Sequence, residues 1–199
     1  MSDAIHVAQF LAEVLEKLGV VYWIGGSMAS STYGMPRSTQ DVDLVADLKE
    51  EHIDDFVAAL ENDFYIDRLA VRRAVSSQRS FNVIHLDSMY KADIFVLGST
   101  PYAQAEKARR RLDPLGNWPG APTAYFCSAE DIVLQKLVWF RKSNGVLTRQ
   151  LEDVRQVLKV QANALDFSYL HRWAAELGVA DLLKTAIADA EVIDSRRLD

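Results

Sequence analysis

Two carboxylates one residue apart, Asp41 and Asp43 in the run Gln40-Asp41-Val42-Asp43-Leu44, are the first groups here whose type and spacing could do chemistry. The run reads as a strand. Successive strand side chains point to opposite faces, so both carboxylates share one face while Gln40, Val42 and Leu44 share the other. Held about 7 Å apart along a strand in a poorly solvated cleft, two such anions repel unless a cation sits between them. Hard oxygen ligands of this kind suit magnesium, which commonly links carboxylates to substrate phosphates. Upstream, Ile24 leads into Gly25-Gly26-Ser27. Without a Cβ the glycine backbone can approach a ligand closely, and N–H groups opening a helix at Ser27 favour an anion such as phosphate.

Each fragment alone has a plainer reading. A Gly-Gly pair after a strand is commonly just a tight turn. A D-x-D is often two solvated strand residues or the sugar-nucleotide site of a glycosyltransferase. A third carboxylate, Asp93, lies inside the apolar run Lys91-Ala92-Asp93-Ile94-Phe95-Val96-Leu97, facing away from Ile94 and Val96. A carboxylate in such a strand needs a metal or a partner, and Arg72, Arg73 and Arg79 are the partners available nearby.

Taken together, Gly25-Gly26-Ser27 followed by Arg37-Ser38-Thr39-Gln40-Asp41-Val42-Asp43 resembles the signature of the polymerase-beta-like nucleotidyltransferases, a glycine turn, a spacer and R-x-T-x-D-x-D. Further on, Ser128 to Leu137, with Lys136, and then Arg149-x-x-x-Asp153-Val154 resemble the helical motifs of the AbiEii-type branch. The likeness spans roughly residues 20 to 160. It implies a small mixed sheet flanked by helices and three carboxylates holding two magnesium ions, with manganese as a substitute, around a nucleoside triphosphate. On that resemblance Asp41, Asp43 and Asp93 are the metal-binding and catalytic set. Gly25, Gly26, Ser27, Arg37, Thr39 and Lys136 bind the nucleotide, and Asp153 is an accessory of the catalytic set. The implied reaction transfers a nucleoside monophosphate to an RNA end, a protein hydroxyl or a small molecule, in a toxin–antitoxin or phage-defence setting with a cognate antitoxin as partner. The alternative is a non-catalytic module of the same fold that binds nucleotide as a signal.

The elements that must position these residues follow from periodicity. Ala4, Ala8, Leu11, Leu15 and Leu18 recur at helical spacing, with Ser2 as N-cap and Gly19 past the end. Val20–Ile24 reads as a central strand, and Ile53, Phe56, Val57 and Leu60 as the buried face of a helix introduced by Asp47 and Glu50. Residues 65–75 and 81–86 read as strands from their β-branched and aromatic content. Residues 98–127 combine a short basic helix, Lys107 to Arg111, with a run of turn formers. After them, helices start at Ser128 and at Asp166, with two more through Leu151–Leu158 and Leu182–Ile187. The expected fold class is α/β (α+β), a small mixed-sheet core over 1–100, a linker over 101–127 and a helical lobe over 128–199.

Composition narrows the partners. Of the 199 residues, 49% are hydrophobic and 25% charged, enough for one good core and a smaller lobe. The net charge of −6 gives no overall attraction to nucleic acid, so a polynucleotide would have to meet a local patch such as Lys107–Arg111. One cysteine, Cys127, excludes an internal disulfide. No apolar run approaches the ~18 residues of a membrane span, and the N-terminus lacks a signal-peptide pattern, so the expectation is a cytoplasmic protein without membrane contact.

Overall fold

The computed structural model describes residues 3 to 195, which divide into two compact units. The first comprises residues 3–28 and 38–127, and the second residues 29–37 and 128–195. Ser2, read above as a helix cap, lies outside the described residues. No described helix is long and apolar enough to cross a membrane.

The first unit is built on a mixed seven-stranded sheet. Its strands are β1 (Tyr22–Ile24), β2 (Asp41–Ala46), β3 (Phe64–Tyr65), β4 (Ser80–His85), β5 (Lys91–Val96), β6 (Arg111–Pro114) and β7 (Thr123–Phe126), in the spatial order β3-β4-β5-β2-β1-β7-β6. β2 and β5 run parallel side by side at its centre. Both alternate strictly: Val42, Leu44, Ala46, Ala92, Ile94 and Val96 are buried, and the residues between them are half-buried. That alternation fixes register, because a slip by one residue would carry every apolar side chain to the wrong face. Helices α1 (Asp3–Lys17) and α3 (Ile53–Leu60) bury Val7, Ala8, Leu11 and Leu15, and Ile53, Phe56, Val57 and Leu60. Each such large apolar side chain contributes about 1.5–3 kcal/mol.

Three segments depart from the sequence expectation. Residues 65–75 are not a strand: β3 ends at Tyr65, and helix α4 (Arg68–Ser77) follows, capped by the Asp67 carboxylate, which accepts hydrogen bonds from the N–H groups of Leu69 and Ala70. Residues 98–127 carry more order than their turn formers suggest, namely α5 (Pro101–Arg109), β6 and β7. Asp47, expected to introduce α3, instead pairs with Lys107 at 2.7 Å.

The second unit is helical: α6 (Ala129–Lys142), α7 (Thr148–Gln161), α8 (Phe167–Glu176) and α9 (Ala180–Ser195), joined by the C-terminal part of α2 (Gly26–Tyr33) and the segment to Arg37. Ser128 caps α6 by accepting from the Asp131 N–H, and Asp166 caps α8 by accepting from the Tyr169 N–H. Gly178, at φ +70°, closes α8 as its position past the helix end predicts.

Candidate active site

The sheet register creates the site. In the parallel pair β2–β5, Asp43 lies directly beside Asp93 and Asp41 beside Lys91. Because Val42, Leu44, Ala92 and Ile94 are fully buried on one face, the three carboxylates must emerge on the other. One oxygen from each of Asp41, Asp43 and Asp93 lies within 4.8 Å of the others, and all three residues are half-buried. The spatial convergence expected of residues 50 positions apart in the sequence is therefore present.

The glycine turn meets the same face. The Gly25 N–H donates to the Asp43 carbonyl at 2.9 Å. Gly26 opens α2 at φ +55°, and a Cβ there would lie 1.8 Å from Asp43 Oδ2. Only glycine allows the backbone to reach that carboxylate. Gly26→Ala is expected to lose about 1–3 kcal/mol from the left-handed backbone alone, and more from the overlap with Asp43. A melting curve measures this, and a variant as stable as the wild type would show that the turn relaxes freely.

Further groups brace the triad. Thr39 Oγ1 donates to the Asp41 carbonyl at 2.8 Å, and the Tyr90 hydroxyl donates to the Thr39 carbonyl. Burial, and then the charges of Asp41 and Asp3, push the Tyr90 hydroxyl above the ordinary tyrosine value. Lys91 Nζ donates to Asp93 Oδ2 at 2.6 Å. That bond, with the fields of Asp41 and Asp43, raises the ammonium pKa against the opposing effect of burial. Tyr90 and Lys91 were not singled out in the sequence. The signal for Lys91 was there, since a residue two before Asp93 on a strand shares its face. The arginines considered as partners for Asp93 are not the ones it uses, and Arg72 pairs with Glu50 instead.

The donor set fits a hard divalent cation. Three carboxylates supply oxygen ligands alone, and octahedral magnesium holds its oxygens about 3–4 Å apart at bonds of 2.0–2.1 Å. The acidic outer residues Asp54 and Glu50, by contrast, pair with Arg68 and Arg72.

Arg37, Lys136 and Asp153 belong to the second unit, where they form a network of their own. Arg37 grips Asp153 with two bonds, Nε to Oδ1 at 2.9 Å and Nη2 to Oδ2 at 2.7 Å. Lys136 Nζ donates to the same Oδ2 at 2.7 Å, and Ser30 Oγ at 3.4 Å. Lys136 is 5% exposed and Asp153 6%. Burial pushes the Asp153 carboxyl up, but the bonds from Arg37 and Lys136 together outweigh it and hold it below the usual carboxylate range.

The basic patch is partly committed within the first unit. Lys107 pairs with Asp47, while Arg110 donates to the Lys107 carbonyl at 2.8 Å and stacks 4.9 Å from the Tyr125 ring centroid.

No family model and no curated protein matches the sequence. Among solved structures, the chain is similar to ANT(2″)-Ia in complex with adenylyl-2″-tobramycin, at 16% identity and a TM-score of 0.59 over 88% of this chain and 97% of that one. It is also similar to an antigenic nucleotidyltransferase-like protein from Paracoccidioides brasiliensis, at 18% identity and a TM-score of 0.57 over 94% and 93% of the two chains. A third is the lincosamide antibiotic adenylyltransferase LnuA, lincomycin-bound, at 11% identity and a TM-score of 0.50 over 80% and 98%. At these identities the likeness is one of fold, a nucleotidyltransferase-like mixed sheet flanked by helices, as the motif resemblance implied.

Proposed function

We propose that the chain is a metal-dependent nucleotidyltransferase, carried by one observation: Asp41, Asp43 and Asp93 converge on one sheet face against the Gly25–Gly26 turn. Asp41 and Asp43 would hold divalent ions between the carboxylate pair and a triphosphate, and Asp93 would complete the ligand set. Two such ions supply charge stabilisation to both the attacking and the leaving oxygen of an in-line displacement at phosphorus. The chain's own groups do the rest. Asp93 accepts the proton of the acceptor hydroxyl as its oxygen bonds to the α-phosphorus. The bond from that phosphorus to the bridging oxygen breaks, and pyrophosphate leaves with the electron pair. The N–H groups that open α2 at Gly26 and Ser27 bind the β- and γ-phosphates. Thr39 holds the Asp41 backbone in place. On the resemblance alone, Arg37 or Lys136 would offset charge on the pyrophosphate, and Asp153 would count with the catalytic set.

For the acceptor we favour a small-molecule hydroxyl. The net charge is −6, two members of the basic patch already have partners, and two of the structural neighbours are solved with antibiotics or their adenylyl derivatives. The toxin role, the cognate antitoxin and the cytoplasmic location rest on the sequence resemblance and composition. The test is incubation with each α-labelled nucleoside triphosphate and magnesium against tobramycin, lincomycin, total RNA and cell lysate. Transfer of label with release of pyrophosphate is the expected result. Triphosphate binding without transfer to any acceptor would instead mark a nucleotide-sensing module.

A further inference from the structure

Four of the side chains on the open face of the β2–β5 pair form a rectangle, with Asp41 beside Lys91 and Asp43 beside Asp93. Strand geometry makes its sides about 5 Å across the strands and about 7 Å along them. Three corners are carboxylates. From the fourth, the Lys91 stem folds back along its own strand to place its ammonium 2.6 Å from Asp93 Oδ2, in the field of the other two acids. The site therefore carries a cation of its own.

We infer that Lys91 is the resident counter-cation of the triad, occupying Asp93 until a divalent ion displaces it, so that this residue sets the metal affinity of the free protein. The inference rests on the metal-site reading proposed above. An ammonium bonded to Asp93 and a divalent ion on the same carboxylate repel strongly at such short range, so entry of the ion requires the ammonium to leave. The Lys91 side chain is 43% exposed, so water receives the displaced ammonium. Its four-carbon stem then allows the ammonium to swing away while staying on the same face. Until then it offsets part of the repulsion among the three acids.

The experiment is titration of the full chain with Mn2+ alone, followed by calorimetry and by melting temperature. Lys91→Met keeps the stem and removes the charge. It should bind Mn2+ about tenfold more tightly than the wild type, melt lower without metal, and gain more on adding it. Lys91→Gln, a second neutral variant, should repeat this if the first folds poorly, whereas Lys91→Arg should keep wild-type affinity. Equal or weaker Mn2+ binding in both neutral variants would overturn the inference. Asp43→Asn separates this from the parent reading. If it loses Mn2+ binding while the neutral variants bind like the wild type, Lys91 alone has been misassigned. If it binds Mn2+ as the wild type does, the triad is not the ion site and both readings fall.

Discussion

Asp43→Asn is expected to lower nucleotidyl transfer by about three orders of magnitude or more while leaving the free protein at least as stable as the wild type. The loss follows because Asp43 lies directly beside Asp93 in the sheet and closest to the glycine turn, so its charge belongs to the centre of the proposed ion site. Metal ions are worth several kcal/mol to such a transition state, and each 1.36 kcal/mol is tenfold in rate. Stability is preserved for a different reason. Asparagine keeps the shape that fits against Gly26, and removing one of three facing carboxylates relieves repulsion. Magnesium with triphosphate at 100 times its dissociation constant should stabilise the wild type by about 2.7 kcal/mol, a gain the variant forfeits. Thermal melts with and without ligand, alongside the transfer assay, measure both effects. A variant much less stable in the free form would mark Asp43 as a structural partner, and retained transfer would end the proposed role of the triad.

The second large effect concerns the buried network of the helical unit. Asp153→Ala is expected to destabilise the protein by about 3–5 kcal/mol, because it leaves the buried Lys136 ammonium without its carboxylate. The wild-type contribution also has a pH signature. The folded-state pKa of Asp153 lies below its unfolded value of about 3.9, so the stabilisation is fully present above that pH and fades as pH falls through the lower folded value. The difference in stability between wild type and Asp153→Asn should therefore hold from pH 7 to about 5 and shrink below about 4. Urea unfolding at pH 7 and pH 3.5 reads it. A loss under 1 kcal/mol for the alanine variant would mean that Arg37 and Lys136 find other partners at little cost.

What the sequence made legible was what local period could carry. The acids of β2 and β5 stand out because their neighbours alternate with them, and alternation is a local property. The cap residues Ser128 and Asp166 announce α6 and α8 in the same way. Misreading began where residue type competed with spacing. Val71 and Val75 suggested a strand, yet Val71 and Ala74 are three apart and buried together, and Asp67 was available as a cap. The strands β6 and β7 were hidden by Pro114, Gly116, Pro119 and Gly120, since two strands of four residues joined by a turn-rich loop have too little pattern to read. Lys136 and Asp153 were each noticed, but their bond to one another, and that from Arg37 across 116 residues, is a product of tertiary structure that no window of sequence contains.

The borrowing of residues 29–37 by the helical unit has a consequence for heredity and for engineering alike. A gene fragment that begins at residue 128 encodes Lys136 and Asp153 but not Arg37, so it would make a bundle whose central acid lacks one of its two cations. The fragment that ends at residue 127 would carry the borrowed segment with nothing to receive it. Neither unit can be moved by a single genetic join. Recombination that exchanges one must carry both breakpoints of the insert, at residues 28/29 and 37/38, along with the join at 127/128.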